Sequence, residues 1–279
     1  MKNLLAALLV SLALGAPVHA ASTDWVEVMG GKVRLIAGGA LEEPGHYDAG
    51  LEFRMEPGWH IYWRFPGEAG VPTQADFSAS TNLGEARLRF PAPVRYDDGY
   101  ATSIVYRDQV ILPIEVIARE TAAPLELAAG LFFGICREIC VPAQMDLSLN
   151  LASDWEVDFP MRLAISRATL SLPRPQGNSA PRVVSIENAG SAENDKAGVL
   201  KIHVEVDETG GEIDLFAEGA EGSFIEVPRL QSRDGNRATF ELSTNGLVKK
   251  DGVAPLTLVL RDGDQAVEHS TEIRFPVSN

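Results

Sequence analysis

Apolar and polar residues alternate in short runs along most of the chain, and turn residues separate the runs. Between Trp25 and Leu151 the runs are VEVMGGKVRLIAGG (26–39), GHYDAGLEFRMEPGWHIYW (45–63), ARLRFPAP (86–93), SIVYRDQVILPIEVIAR (103–119), LELAAGLFFGIC (125–136) and MDLSLNL (145–151). Period-two patterning with Gly and Pro between the runs, and no helical segment among them, predicts an antiparallel β-sandwich rather than an α/β fold. Within GWHIYW, alternation puts Trp59, Ile61 and Trp63 on a face to be buried and His60 and Tyr62 on a face to be exposed.

The period changes once. MRLAISRATL (161–170) spaces Met161, Leu163, Ile165, Ala168 and Leu170 as one side of a helix, with Asp158 ahead of Pro160 as its start and Pro173 and Pro175 as its stop. PRPQGNSAP then reads as a linker. Alternation returns in VVSIENA (183–189), VLKIHVEVDE (199–208), EIDLFAEG (212–219), RATFELS (237–243), LTLVLRDG (256–263) and VEHSTEIRFPV (267–277), with dense turn signals between them. The expected organisation is all-β: one sandwich domain over 21–152, a helix and Pro-rich linker over 153–181, and a second, smaller sandwich over 182–279.

Residues 1–20 break the pattern differently. Lys2, a mostly apolar run from Leu4 to Leu14, and the small residues around Val18-His19-Ala20 read as a cleaved secretory signal peptide. The remaining chain holds no stretch near the ~18 apolar residues that a membrane helix needs. A formal net charge of −15 argues against nucleic acid and against an anionic membrane surface as partners. The expectation is an exported protein that does not itself span a membrane.

Export changes the meaning of the two cysteines, Cys136 and Cys140, because an oxidising compartment cross-links paired thiols. Residues four apart in an extended strand lie about 13 Å from one another at ~3.3 Å per residue, so this pair can bond only if Arg137-Glu138-Ile139 turns. A ring this small constrains little of the unfolded chain and stabilises little, but it can open without unfolding the domain. Arg137 favours a thiolate and Glu138 opposes it. Redox exchange is the leading reading; a static disulfide at a sheet edge is the alternative. A third is Cu(I) held by Cys136, Cys140 and His60, since soft thiolates select that ion.

GWHIYWRFPGEAGVP (58–72), PAPVRYDDGYATSIVYRDQVILPI (91–114) and GICREICVPA (134–143) together resemble the N-terminal periplasmic domain of the DsbD thiol:disulfide interchange family, in the branch that includes the suppressor-of-copper-sensitivity protein ScsB. The resemblance implies an immunoglobulin-like fold in which Cys136 and Cys140 form the redox pair. It also implies a cap loop at Tyr96-Asp97-Asp98-Gly99-Tyr100, with Tyr100 shielding the disulfide in place of the family's usual phenylalanine, Asp97 and Asp98 raising the thiol pKa values, and Tyr106 packed near the cysteines. The implied partners are periplasmic thioredoxin-like or disulfide-isomerase-like proteins. Full-length relatives continue into a membrane electron-conducting domain and a thioredoxin-like domain, neither of which is read in this sequence, so the expectation is either electrons from a separate membrane protein or a domain that serves as something other than a relay.

The remaining motifs add no cofactor. Gly30-Gly31 and Gly38-Gly39 lie between strands rather than before a helix, nothing matches a nucleophile elbow, and Glu42-Glu43 and Asp207-Glu208 offer too few oxygens for calcium. A redox-inert adaptor that docks on a redox partner is the rival outside enzyme chemistry.

Overall fold

A computed structural model describes residues 21–151, 158–188, 198–208 and 211–275, so the expected signal peptide lies outside the described residues. The first part of the chain forms β1 (Val26–Val28), β2 (Gly31–Ala40), β3 (His46–Met55), β4 (His60–Gly67), β5 (Gln74–Asp76), β6 (Leu83–Leu88), β7 (Val94–Asp97), β8 (Thr102–Arg107), β9 (Gln109–Ala118), β10 (Leu125–Cys136) and β11 (Cys140–Leu151). These make two facing antiparallel sheets, ordered β1-β2-β3-β9-β6 and β11-β10-β4-β8-β7, with β5 also paired to β10.

Alternation builds the core between them. Val33 and Leu35 from β2 and Leu51 and Phe53 from β3 meet Ile61 and Trp63 from β4 and Leu131, Phe133 and Ile135 from β10. Phe53 and Phe133 meet edge to face with ring centroids 5.1 Å apart, the arrangement their quadrupoles favour.

Helix α1 (Phe159–Leu170) lies across the outside of the first sheet, where Ile165 packs against Ile36 and Ile111. Asp158 caps it by accepting from the Met161 N–H at 3.0 Å, and proline occupies its first turn. The helix sits so close that a Cβ on Gly38 would stand 2.9 Å from the Arg162 Cα.

The second part forms β12 (Arg174–Pro175), β13 (Arg182–Asn188), β14 (Val199–Glu205), β15 (Ile213–Gly219), β16 (Arg229–Asp234), β17 (Arg237–Ser243), β18 (Val253–Asp262) and β19 (Gln265–Arg274), in sheets ordered β12-β19-β18-β15 and β13-β14-β17-β16. The fold is all-β in two sandwiches. One difference from the sequence reading is β12: Arg174 and Pro175, inside the expected linker, pair in parallel with Val267 and Glu268, because the edge of β19 is open to them. Pro175 costs nothing there, since an edge strand need not donate every N–H.

The two sandwiches share apolar surface. Phe216, Val227 and Val259 from the second join the core of the first beside Trp63, with the Trp63 and Phe216 rings 6.3 Å apart. Around this contact Arg64 donates to Glu218 and to Glu268, each at 2.7 Å, and Arg95 donates to Asp214 at 2.6 Å.

Candidate functional site

The register of β10 on β11 puts Cys136 directly opposite Cys140, and the two are disulfide-bonded with Cα atoms 4.2 Å apart. The turn is the three-residue loop Arg137-Glu138-Ile139, closed by an Arg137 N–H to Ile139 C=O hydrogen bond of 3.1 Å. The bridge therefore spans the mouth of a hairpin. The two cysteines are not equivalent: Cys136 is 2% exposed, whereas Cys140 is exposed.

The row continues across the sheet. Cys136 faces His60 on β4, and His60 faces Arg107 on β8. Directly opposite residues have Cβ atoms about 4.5–5.5 Å apart, so Cys140, Cys136, His60 and Arg107 form one cross-strand line on the outer face of the second sheet. Tyr62, Val105 and Cys136 make a small apolar cluster there, with Val94 and Tyr96 packed against it.

His60 and Tyr62 are both 3% exposed, which corrects the expectation that this face of β4 meets solvent. Residues 67–72 fold back over it. The Ser103 hydroxyl donates to the Ala69 carbonyl at 3.0 Å, the Gly134 N–H donates to Val71 at 3.2 Å, and Gly70 lies so near the Tyr62 ring that a Cβ would come within 2.2 Å of it. The strand is buried on both faces, a condition that alternation does not register.

Burial sets the electrostatics. Burial, with help from the Arg107 charge, pushes the His60 pKa down to about 4 against the opposing pull of Asp98, so the imidazole is neutral near pH 7. Its Nδ1 is buried without a hydrogen-bond partner. The His60 ring meets Tyr62 edge-on at 5.3 Å and Tyr96 at 4.5 Å, and Arg107 lies 4.6 Å over Tyr96. Burial, then the charges of Asp98 and Tyr96, push Tyr62 up to about 12. The Tyr62 hydroxyl stands 3.1 Å from the Cys140 Sγ and keeps its proton, so it is a donor aimed at the exposed sulfur.

The 97–101 loop is stiffened from within. Asp97 accepts from the Gly99 N–H at 2.7 Å, and Asp98 accepts from Tyr100 and Ala101 at 2.8 and 2.9 Å. The Ala101 and Tyr100 N–H groups hold the Asp98 carboxyl below its ordinary value. Tyr100 is 98% exposed, which corrects its expected role as the shield: its ring stands in solvent. Tyr96 is the aromatic that packs beside the site, and it was missed. Its place in β7, two residues from Val94 and opposite Ser103, is the signal that would have found it. Tyr106 is also corrected. It is 6% exposed within the inter-sheet core and donates to the Pro91 carbonyl at 2.7 Å, on the opposite face of β8 from Val105, because neighbouring strand residues point apart.

Among the described residues, no group of three or more His, Cys, Asp or Glu side chains is placed to hold a metal ion.

Residues 37–152 match the family model "Thiol:disulfide interchange protein DsbD, N-terminal". The crystal structure of the N-terminal periplasmic domain of ScsB from Proteus mirabilis superposes with a TM-score of 0.70 at 20% sequence identity, covering 91% of this chain and 98% of that one. A comparison with curated proteins finds no match. The family-model match lies within the first sandwich, and both sandwiches together share the fold of the ScsB domain. No helix among the described residues is long and apolar enough to cross a membrane.

Proposed function

We propose that this DsbD-type domain carries out thiol–disulfide exchange through Cys136 and Cys140 in the periplasm, with thioredoxin-like or disulfide-isomerase-like proteins on one side and a separate membrane electron donor on the other. The observation that carries the reading is the unequal exposure of the two cysteine residues of a disulfide that encloses only three intervening residues. A partner thiolate attacks the exposed Cys140 Sγ. A new sulfur–sulfur bond forms to the partner, the Cys136–Cys140 bond breaks, and its electron pair leaves on Cys136, which takes up a proton. The partner's second thiolate then attacks its own sulfur in the mixed disulfide and releases Cys140 as a thiolate. The partner is oxidised and this protein reduced by two electrons; run backwards, the same steps deliver them.

The test is the reduction potential of the pair, read by trapping free thiols after equilibration in glutathione buffers. A value between roughly −120 and −270 mV is expected, the range of working exchange proteins, and a value well below about −300 mV would mark a structural disulfide instead. Cys136→Ser should form a mixed disulfide with glutathione through Cys140. Cys140→Ser should leave the buried Cys136 sulfur at least tenfold slower to react. Equal rates for the two variants would remove the assigned roles.

A further inference from the structure

Opening the disulfide creates a buried thiol, and the order of the strands decides what that thiol meets. β10 carries Cys136 between β11, which carries Cys140, and β4, which carries His60. While the bond is closed, the Cys136 Sγ is drawn towards β11. On its other side stands His60, on the same face because the two residues are directly opposite. Cys136 and His60 are both buried. The side chains of Tyr62, Val105, Val94 and Tyr96 pack around Cys136, and the only polar atoms among them are two phenol hydroxyls. That of Tyr62 is already 3.1 Å from the Cys140 Sγ. The His60 Nδ1 is buried with no hydrogen-bond partner.

We propose that in the reduced protein the Cys136 thiol donates a hydrogen bond to the His60 Nδ1, and that this bond favours the reduced form. Its redox consequence rests on the exchange reading above, and it names a residue that sets the poise of the same site. When the sulfur–sulfur bond breaks, the Cys136 side chain is free to turn among its staggered positions. The two Cβ atoms are about 4.5–5.5 Å apart across the strand pair, and Nδ1 is the ring nitrogen nearer the backbone, so a turn towards β4 brings the sulfur to it. The electron pair left on Cys136 takes a proton from solvent, and burial keeps that proton on the sulfur, because a desolvated thiolate is disfavoured. A neutral imidazole has one nitrogen that accepts, and the ring neither gains nor loses a proton in this step. The charges that act on it, Arg107 from β8 and Asp98 from the 97–101 loop, oppose one another, and Tyr62 and Tyr96 complete its surroundings. The closed state leaves a buried acceptor unsatisfied, a cost that the reduced state removes. A pair whose reduced form is favoured is the more oxidising one.

Reduction potentials of His60→Phe and His60→Asn, measured beside the unaltered protein in glutathione buffers, test this. His60→Phe removes the acceptor and should favour the disulfide about tenfold, a shift of about 30 mV to more negative potential. His60→Asn keeps an oxygen acceptor near the place of Nδ1 and should stay within about threefold of the unaltered protein. Infrared spectroscopy of Cys140→Ser, whose single thiol is Cys136, reads the bond directly. Its S–H stretch should lie at the lowered frequency of a hydrogen-bonded thiol and rise when His60→Phe is added. An unshifted potential in His60→Phe would overturn the proposal, as would equal shifts in the two His60 variants or an S–H stretch that His60→Phe leaves in place. The unaltered protein keeps the two readings apart: a potential well below about −300 mV removes the exchange reading, while the S–H stretch still decides the hydrogen bond.

Discussion

Glu52 on one outer face of the first sandwich and His60 on the other are buried to the same depth, both 3% exposed. Their surroundings differ. Glu52 accepts from Arg34 Nε at 2.7 Å, from Arg54 Nε and Nη2 at 3.1 and 2.8 Å, and from Gln109 at 3.0 Å. Its charge is balanced by two guanidiniums that also stack on Trp25. His60 has a buried Nδ1 with no partner, Arg107 across from it, and a disulfide as its other neighbour. Complete pairing locks a charge in place and holds one geometry. A neutral ring whose Nδ1 has no partner, beside sulfurs that change partners in the proposed exchange, leaves that face free to rearrange. The first face holds one fixed arrangement, and the second suits the proposed exchange.

Removing the two side chains should break the symmetry most visibly. Glu52→Ala leaves the partly buried Arg34 guanidinium without its carboxylate and frees the exposed Arg54, and should lower the unfolding free energy by about 3 kcal/mol. His60→Phe keeps the ring volume and gives up no hydrogen bond at Nδ1, so its cost should stay below about 1 kcal/mol. Urea unfolding of both variants with the disulfide intact reads the difference. A larger loss in His60→Phe than in Glu52→Ala would reverse the assignment of the two faces.

Acid sharpens the same contrast. The folded chain protonates His60 only near pH 4, whereas the unfolded chain does so near 6.5. Above pH 6.5 the ring is neutral in both states and adds no pH dependence. As pH falls from 6.5 towards 4 the unfolded state binds a proton that the folded state refuses, so stability drops as pH drops. The shift corresponds to at most about 3 kcal/mol. Between pH 7 and pH 4.5 the unaltered protein should lose about 2 kcal/mol more than His60→Phe. Parallel losses would mean that the imidazole charges in the folded state.

The parts of this structure that were legible in the sequence are those set by local periodicity. Val33, Leu35, Leu51 and Phe53 face inward because every second residue must, and Asp158 with Pro160 starts the helix because both suit its first turn. Bond geometry requires Arg137-Glu138-Ile139 to turn if the cysteines pair, without saying that the turn closes a hairpin. What stayed hidden depends on segments that return from elsewhere. Tyr62 is covered by residues 67–72 and His60 by the Tyr96 ring, segments that their own strand gives no reason to expect there. Tyr100 points into solvent because Asp97 and Asp98 spend their oxygens on their own loop's N–H groups, a local competition that a resemblance to related cap loops does not reveal. Tyr106 is placed by a face choice at one strand, and Tyr96 takes the position beside the site that Tyr100 had been given.

The smallest expected effect concerns the hydroxyl that joins the two halves of the reactive face. With a pKa pushed up to about 12, Tyr62 stays protonated, and in the reduced protein its O–H donates to the Cys140 thiolate. A hydrogen bond to a charged group contributes about 1.5–3 kcal/mol when fully formed, and exposure of Cys140 reduces this towards the lower end. Tyr62→Phe should therefore raise the Cys140 pKa by about one unit. The rate consequence is milder. A more basic thiolate is also a better nucleophile, with a Brønsted slope near 0.4–0.5, so attack on a partner disulfide at pH 7 should slow only about threefold rather than tenfold. The pH profile of iodoacetamide alkylation in reduced Cys136→Ser separates the two quantities, because the titration midpoint reports the pKa and the plateau reports nucleophilicity. An unchanged midpoint in Tyr62→Phe would mean that the hydroxyl serves only the closed disulfide, and the donor would then belong to the packing of this face rather than to its chemistry.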